Sequence, residues 1–232
     1  MKKTLLTVSI LFSTQMIQAE SPVEIPLPPK VTTSVPDDYS ISILNGRSDI
    51  CKGVVIAPSW VLTAGHCATQ GITHVTSSTS KVRSKKRIDK KFKFRKGADL
   101  ALLKIYNAPF KSEEAITLLA KPILPEYGIL DNIKVIHNAK KGIAVVYDNL
   151  RLKARTKKQL KSLTPKGKAG SSGAPWVVKT DYGHVAVGIT HGGGVAPQIA
   201  QARKWIDKLV KKHTPNEQIN WLEDRELILE AQ

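Results

Sequence analysis

The sequence predicts an all-β fold, a barrel or a sandwich, with helix only near its C-terminus. Three observations carry this. Short apolar and β-branched runs recur along the chain, each bounded by turn residues; helical periodicity is nearly absent before residue 197; and nothing repeats at a fixed period. With 232 residues, 41% of them apolar, the chain can bury one or two modest cores, and a single two-part domain is the expected organisation.

Residues 1–19 read as an export signal: Lys2 and Lys3 precede an apolar stretch from Thr4 to Phe12, and Gln18-Ala19 offers a small residue at a cleavage point. That stretch is about half the roughly 20 residues a membrane-spanning helix needs, and no other segment approaches that length, so no transmembrane segment is expected in the mature chain. Residues 20–39 carry Pro22, Pro26, Pro28, Pro29 and Pro36, too many for helix or central strand, and read as an extended leader or propeptide.

From Ser40 the strands begin. Ile41, Ile43 and Leu44 run into the turn signal Asn45-Gly46, then come Gly53 to Ile56, Ala57-Pro58, and Trp60 to Leu62. Further strands are expected at 100–105, 133–137, 143–147, 175–179 and 184–190, the last two joined by the turn Asp181-Tyr182-Gly183. Between Lys91 and Arg95 the cationic residues alternate with Phe92 and Phe94, the period of a strand with one apolar and one charged face. Helical spacing appears in Pro197 to Lys212, where Ile199, Ala202, Ile206, Leu209 and Val210 recur with basic residues between them. The acidic extension 214–232 is expected to form a second helix from Glu217 to Ala231, exposed to solvent.

The formal charge is +17, from 36 Lys and Arg against 19 Asp and Glu, and such a surface attracts anions. Ten basic residues fall within 81–96 and eight within 151–168. Solvated surface charge is one reading of these runs and an anionic surface or polyanion the other. Nucleic acid, anionic glycans, lipid headgroups and acidic peptides all suit the charge. The only two cysteines, Cys51 and Cys67, lie in a chain expected to be exported to an oxidising compartment, so one disulfide is the default and two buried thiols the alternative. It would close a loop of about 15 residues, worth roughly 3 kcal/mol in the chain-entropy account.

Three segments carry chemistry: Leu62-Thr63-Ala64-Gly65-His66-Cys67, Ala98-Asp99-Leu100-Ala101-Leu102-Leu103, and Gly170-Ser171-Ser172-Gly173-Ala174-Pro175. The first sets a histidine after a strand and a small-residue turn. The second sets a carboxylate at the head of an apolar run, where burial is costly unless a partner offsets it. The third flanks a serine with glycines that let the chain turn sharply. In this order and context the chain resembles the trypsin/chymotrypsin-like serine peptidases, of the compact bacterial secreted branch, over about Ser40 to Lys212.

The resemblance implies two six-stranded antiparallel β-barrels with the active site between them and a C-terminal helix, the peptidase domain spanning 40–213. It implies a catalytic triad of His66, Asp99 and Ser172, an oxyanion hole from the N–H groups of Gly170 and Ser172, and hydrolysis of protein or peptide substrates through an acyl-enzyme. Each oxyanion donor is worth on the order of 100-fold to 1000-fold in rate. Cys51–Cys67 matches the disulfide beside the family's histidine. Val187 to Gly193 resembles the edge strand that pairs with substrate, which places Thr190, His191, Gly192 and Gly193 among the substrate-binding residues.

Several family features are missing. No Ile-Val-Gly-Gly start precedes the first strand, and Ser171 replaces the aspartate that pairs with the new N-terminal amine on zymogen cleavage. The disulfides that brace the specificity pocket are absent. Lys166 stands near the base of that pocket, where trypsin has an aspartate, and either it or the nearby His191 and Thr190 would favour acidic or polar residues before the cut.

No metal-ligand cluster, phosphate loop or cofactor motif is apparent, so a phosphodiesterase is disfavoured and neither metal nor cofactor is expected. The remaining histidines, His74, His137, His184, His191 and His213, read as structural by default. The rival to a secreted or periplasmic peptidase is a peptidase-like binding protein that holds an anionic partner with little or no turnover.

Overall fold

The computed structural model describes residues 39–77, 85–107, 109–138, 143–163, 171–180, 183–192 and 194–223, with backbone only for 131–138 and 143–150. The export signal, nearly all of the leader, residues 81–84 and 164–168 of the basic runs, the Asp181-Tyr182 turn and residues 224–231 of the expected second helix lie outside the described residues.

The first half is a closed barrel of β1 (Ser40–Asn45), β2 (Ser48–Ala57), β3 (Trp60–Ala64), β4 (His74–Ser77), β5 (Lys85–Lys93) and β6 (Leu100–Ile105), in the order β1-β2-β3-β6-β5-β4. Gly46, at φ 58°, opens the two-residue loop between the paired Asn45 and Ser48, a position where the left-handed backbone suits glycine. Every residue of β3 is buried, as are all of β6 except Lys104, because these apolar runs face neighbours on both sides. The alternation read in 91–95 is present: Phe92 and Phe94 turn inward while Lys91, Lys93 and Arg95 are exposed.

The second half is an eight-stranded sheet: β7 (Thr117–Leu119), β8 (Ile129–Asn138), β9 (Ile143–Thr156), β10 (Gln159–Ser162), β11 (Pro175–Thr180), β12 (Gly183–Ile189), β13 (Val195–Pro197) and β14 (Trp221–Leu222), ordered β13-β10-β9-β8-β11-β12-β7-β14. Six of these strands, β13 to β12, curl until Gly188 bridges Gln198 beside the end of β13, so the second barrel closes by a single bridge. The expected two-barrel layout is therefore present, with two additions. Strands β7 and β14 pair in parallel outside it.

The late helix is α1 (Arg203–His213), entered through a 3-10 turn at Ile199–Ala202. Ile206 and Val210, four residues apart on one face, are buried against the first barrel's core, and Phe94 meets Trp205 at 5.2 Å between ring centroids. Its last turn carries Lys211, Lys212 and His213, the charge the helix dipole favours there.

The second helix expected from Glu217 is not what the described part of that segment forms. Residues 217–223 are not helical and lead into and out of the short strand Trp221–Leu222: Leu118 N–H donates to Asn220 O at 2.8 Å and Ala120 N–H to Leu222 O at 2.9 Å. The open edge of β7 offers backbone donors and a place to bury Leu222, and these tertiary contacts outweigh local helix propensity. The acids expected in solvent bind the body instead. Glu217 accepts from Ser59 N–H at 2.9 Å and its hydroxyl at 2.6 Å, and Glu223 receives the Arg203 guanidinium.

Candidate active site

The barrel register builds the first half of the site. Because Ala64 pairs with Leu100, the chain leaving β3 through Gly65-His66 passes beside Asp99, which precedes β6. Asp99 Oδ1 accepts the His66 backbone N–H at 2.8 Å, and Oδ2 lies 2.6 Å from His66 Nδ1. Gly65 makes this approach feasible, since a Cβ there would sit 2.7 Å from Asp99 Oδ1. The bond to Asp99 fixes the His66 proton on Nδ1 and leaves Nε2 as an acceptor. The predicted disulfide is formed: Cys51 on β2 is bonded to Cys67, both buried, which ties the His66 turn to the barrel wall.

Asp99 has a second imidazole. His191 Nδ1 lies 2.6 Å from the same Oδ2, and the His66 and His191 rings meet edge to face at 5.7 Å between centroids. Burial pushes the Asp99 carboxyl up, but the hydrogen bonds and charge of His66 and His191 outweigh it and hold the group below its usual range.

Ser172 occupies a turn between the two halves. Its carbonyl accepts the Lys52 N–H at 2.7 Å, while Gly173 N–H donates to Thr190 O and Thr190 N–H to Ala174 O, each at 2.8 Å. Gly173 has φ 87°, and a Cβ there would fall 1.9 Å from Lys52 O, so only glycine allows this close approach. The Ser172 carbonyl also lies 3.9 Å from Cys67 Sγ, next in sequence to His66. No hydrogen bond between the Ser172 hydroxyl and the His66 ring is formed among the described residues. Lys52, which holds the turn, is itself buried. Its ammonium bonds both Asp49 oxygens at 2.6 Å, and burial lowers its pKa more than Asp49 raises it.

Of the residues expected around the specificity pocket, Thr190, His191 and Gly192 are described. Lys166, Gly170 and Gly193 lie outside the described residues. Thr190 is buried, its hydroxyl accepting the Trp176 indole N–H at 3.0 Å. In the segment beginning at Val187, β12 pairs with β11 through Ile189, and Gly188 bridges Gln198. Beyond it, Gly192 folds into a tight hairpin with Val195. His191 faces Asp99. Beside it opens a cleft of about 370 Å³ lined by Asp99, His191, Thr156, Lys158, Gln159 and Gln201.

Sequence reasoning missed the pairing of His191 with Asp99. Its signal was the position of His191 directly after Thr190, in a segment that closes on the serine turn. The Lys52–Asp49 pair left no signal beyond two opposite charges three residues apart.

The trypsin family model matches residues 29–206, well over half of the 232. No curated protein matches the chain.

Proposed function

The chain belongs to the trypsin family, and from that premise we propose that it is an exported serine endopeptidase acting through His66, Asp99 and Ser172. The observation that carries the reading is the pair of Asp99 contacts, one oxygen on the His66 backbone and the other on its ring. A carboxylate so placed orients the imidazole and stabilises the imidazolium that forms during turnover.

His66 Nε2 accepts the Ser172 proton as the serine oxygen attacks the peptide carbonyl. In an unliganded site such hydrogen bonds are often open and tighten when substrate arrives. The tetrahedral oxyanion is met by N–H groups of the serine turn, those of Gly170 and Ser172. His66 then protonates the leaving amine, and water repeats the sequence to release the acyl group. The apolar stretch at residues 4–12 supports export to the periplasm or beyond. No described helix is long and apolar enough to cross a membrane.

Exposed Lys85, Arg87, Lys91 and Lys93 on β5 favour a second reading, in which the basic surface retains an anionic partner. Labelling with a serine-directed fluorophosphonate separates the two. The mature protein should react at a single site and Ser172→Ala should not; an unreactive protein, or equal reaction of the variant, would sink the peptidase reading.

A further inference from the structure

We infer that His66, Asp99 and His191 form a binding site for a divalent transition ion of the Zn²⁺ class, placed where the ion would block the hydrolysis proposed above. The inference rests on that reading for its consequence and on geometry for the site. His66 Nδ1 and His191 Nδ1 each lie 2.6 Å from Asp99 Oδ2, and one donor atom from each residue falls within 4.8 Å of the others. Two imidazoles and one carboxylate brought this close together are a ligand set that zinc sites with an exchangeable water use.

The surroundings suit an ion. Two of the three donors, Asp99 and His191, line the cleft of about 370 Å³, which gives access and room for a water ligand. Tetrahedral donors stand roughly 3.3 Å apart, so the two N···O contacts must widen by about 0.7 Å. The His191 side chain, 54% exposed, is free to make that movement. Both imidazoles offer borderline-soft nitrogen, which favours Zn²⁺, Cu²⁺ or Co²⁺. Ca²⁺ and Mg²⁺ demand six or more oxygens, and here only Asp99 supplies a carboxylate.

The effect on chemistry follows from the proton. To coordinate through Nδ1, neutral His66 must carry its single proton on Nε2, transferred by solvent. Nε2 is the atom that has to accept the Ser172 proton, so a metal-bound His66 cannot act as base. Asp99 is at the same time drawn away from its orienting role.

The site can be tested without relying on catalysis. In the mature Ser172→Ala protein, Co²⁺ should bind one-to-one with the visible absorption of a tetrahedral cobalt centre, and Zn²⁺ should displace it while Mg²⁺ does not. His191→Ser should weaken binding by at least about tenfold. Zn²⁺ should raise the thermal midpoint of the parent but not of a His191→Ser variant that melts cooperatively. Absence of one-to-one binding, or affinity unchanged by His191→Ser, overturns the site. Failure of the peptidase reading would show separately, as absent fluorophosphonate labelling in a protein that still binds cobalt.

Discussion

His66 and Asp99 stand at one rim of a closed barrel, beside the ends of two strands paired residue for residue, whereas Ser172 stands on a turn pinned by backbone hydrogen bonds to Lys52 and Thr190. The acid-base half inherits its geometry from strand register, a disulfide and one glycine. The nucleophile half depends on a close approach between chain segments more than a hundred residues apart. A register position is over-determined by many ladder bonds. A pinned turn can be displaced by one added methyl group. Asp99 joins the two regions, because it holds one imidazole from each.

The most severe break is expected from Asp99→Asn. An amide cannot accept from both imidazoles and the His66 backbone, and it presents an N–H where a proton acceptor is required, so kcat should fall by roughly 10⁴-fold with Ser172 still in place. The same variant sharpens the acid limit of the fold. The native carboxyl is held below its ordinary 3.8, so it contributes stability above that pH which is lost as pH falls through the lower folded value. Stabilities of the parent and the variant should therefore converge below about pH 4. Retention of near-normal turnover in Asp99→Asn would remove the acid-base half from the mechanism.

Gly173→Ala acts on the other half. With φ at 87° and Lys52 O 1.9 Å from the new Cβ, the turn must shift by an ångström or more, and a misplacement of that size costs about 100-fold in kcat/KM. The protein should keep a cooperative melt, because Gly173 belongs to neither apolar cluster. The measurement is the fluorophosphonate labelling rate beside the thermal midpoint. An unchanged rate would mean that the Lys52 contact does not set the position of Ser172.

This contrast also explains what the sequence could reveal. The longer strands and the helix near 203–213 are legible because local period and residue type decide them, whereas β4, β7, β10, β13 and β14, of two to four residues each, are too short to show a period. The Cys51–Cys67 bond is legible because the chain has two cysteines and is expected to be exported. His66 and Asp99 are singled out through the resemblance of their segments to the trypsin/chymotrypsin-like peptidases, each segment lying beside an apolar run. The bond between His191 and Asp99 is not legible in the sequence, because the two residues lie 92 positions apart and no local pattern joins them. The bond that the Thr190 hydroxyl accepts from Trp176, across the β11–β12 pair, is likewise not legible in the sequence. The tail beyond Glu217 has helical composition, yet it answers to an unpaired strand edge that no local pattern discloses.

That tail supplies the mildest test, because it touches both regions. Its Trp221 and Leu222 extend the sheet at β7, while Glu217 caps the β2–β3 turn through Ser59. Glu217→Gln keeps one acceptor oxygen and loses the charge, so it should cost about 1 kcal/mol, read as a lowered thermal midpoint. The turn at Ser59 lies at the opposite end of β3 from Ala64 and His66, so turnover should not change. A matching fall in kcat would show that the tail, by bridging barrel and sheet, helps set the position of Ser172 relative to His66. The two halves of the site would then be coupled by more than Asp99 and the Lys52 contact.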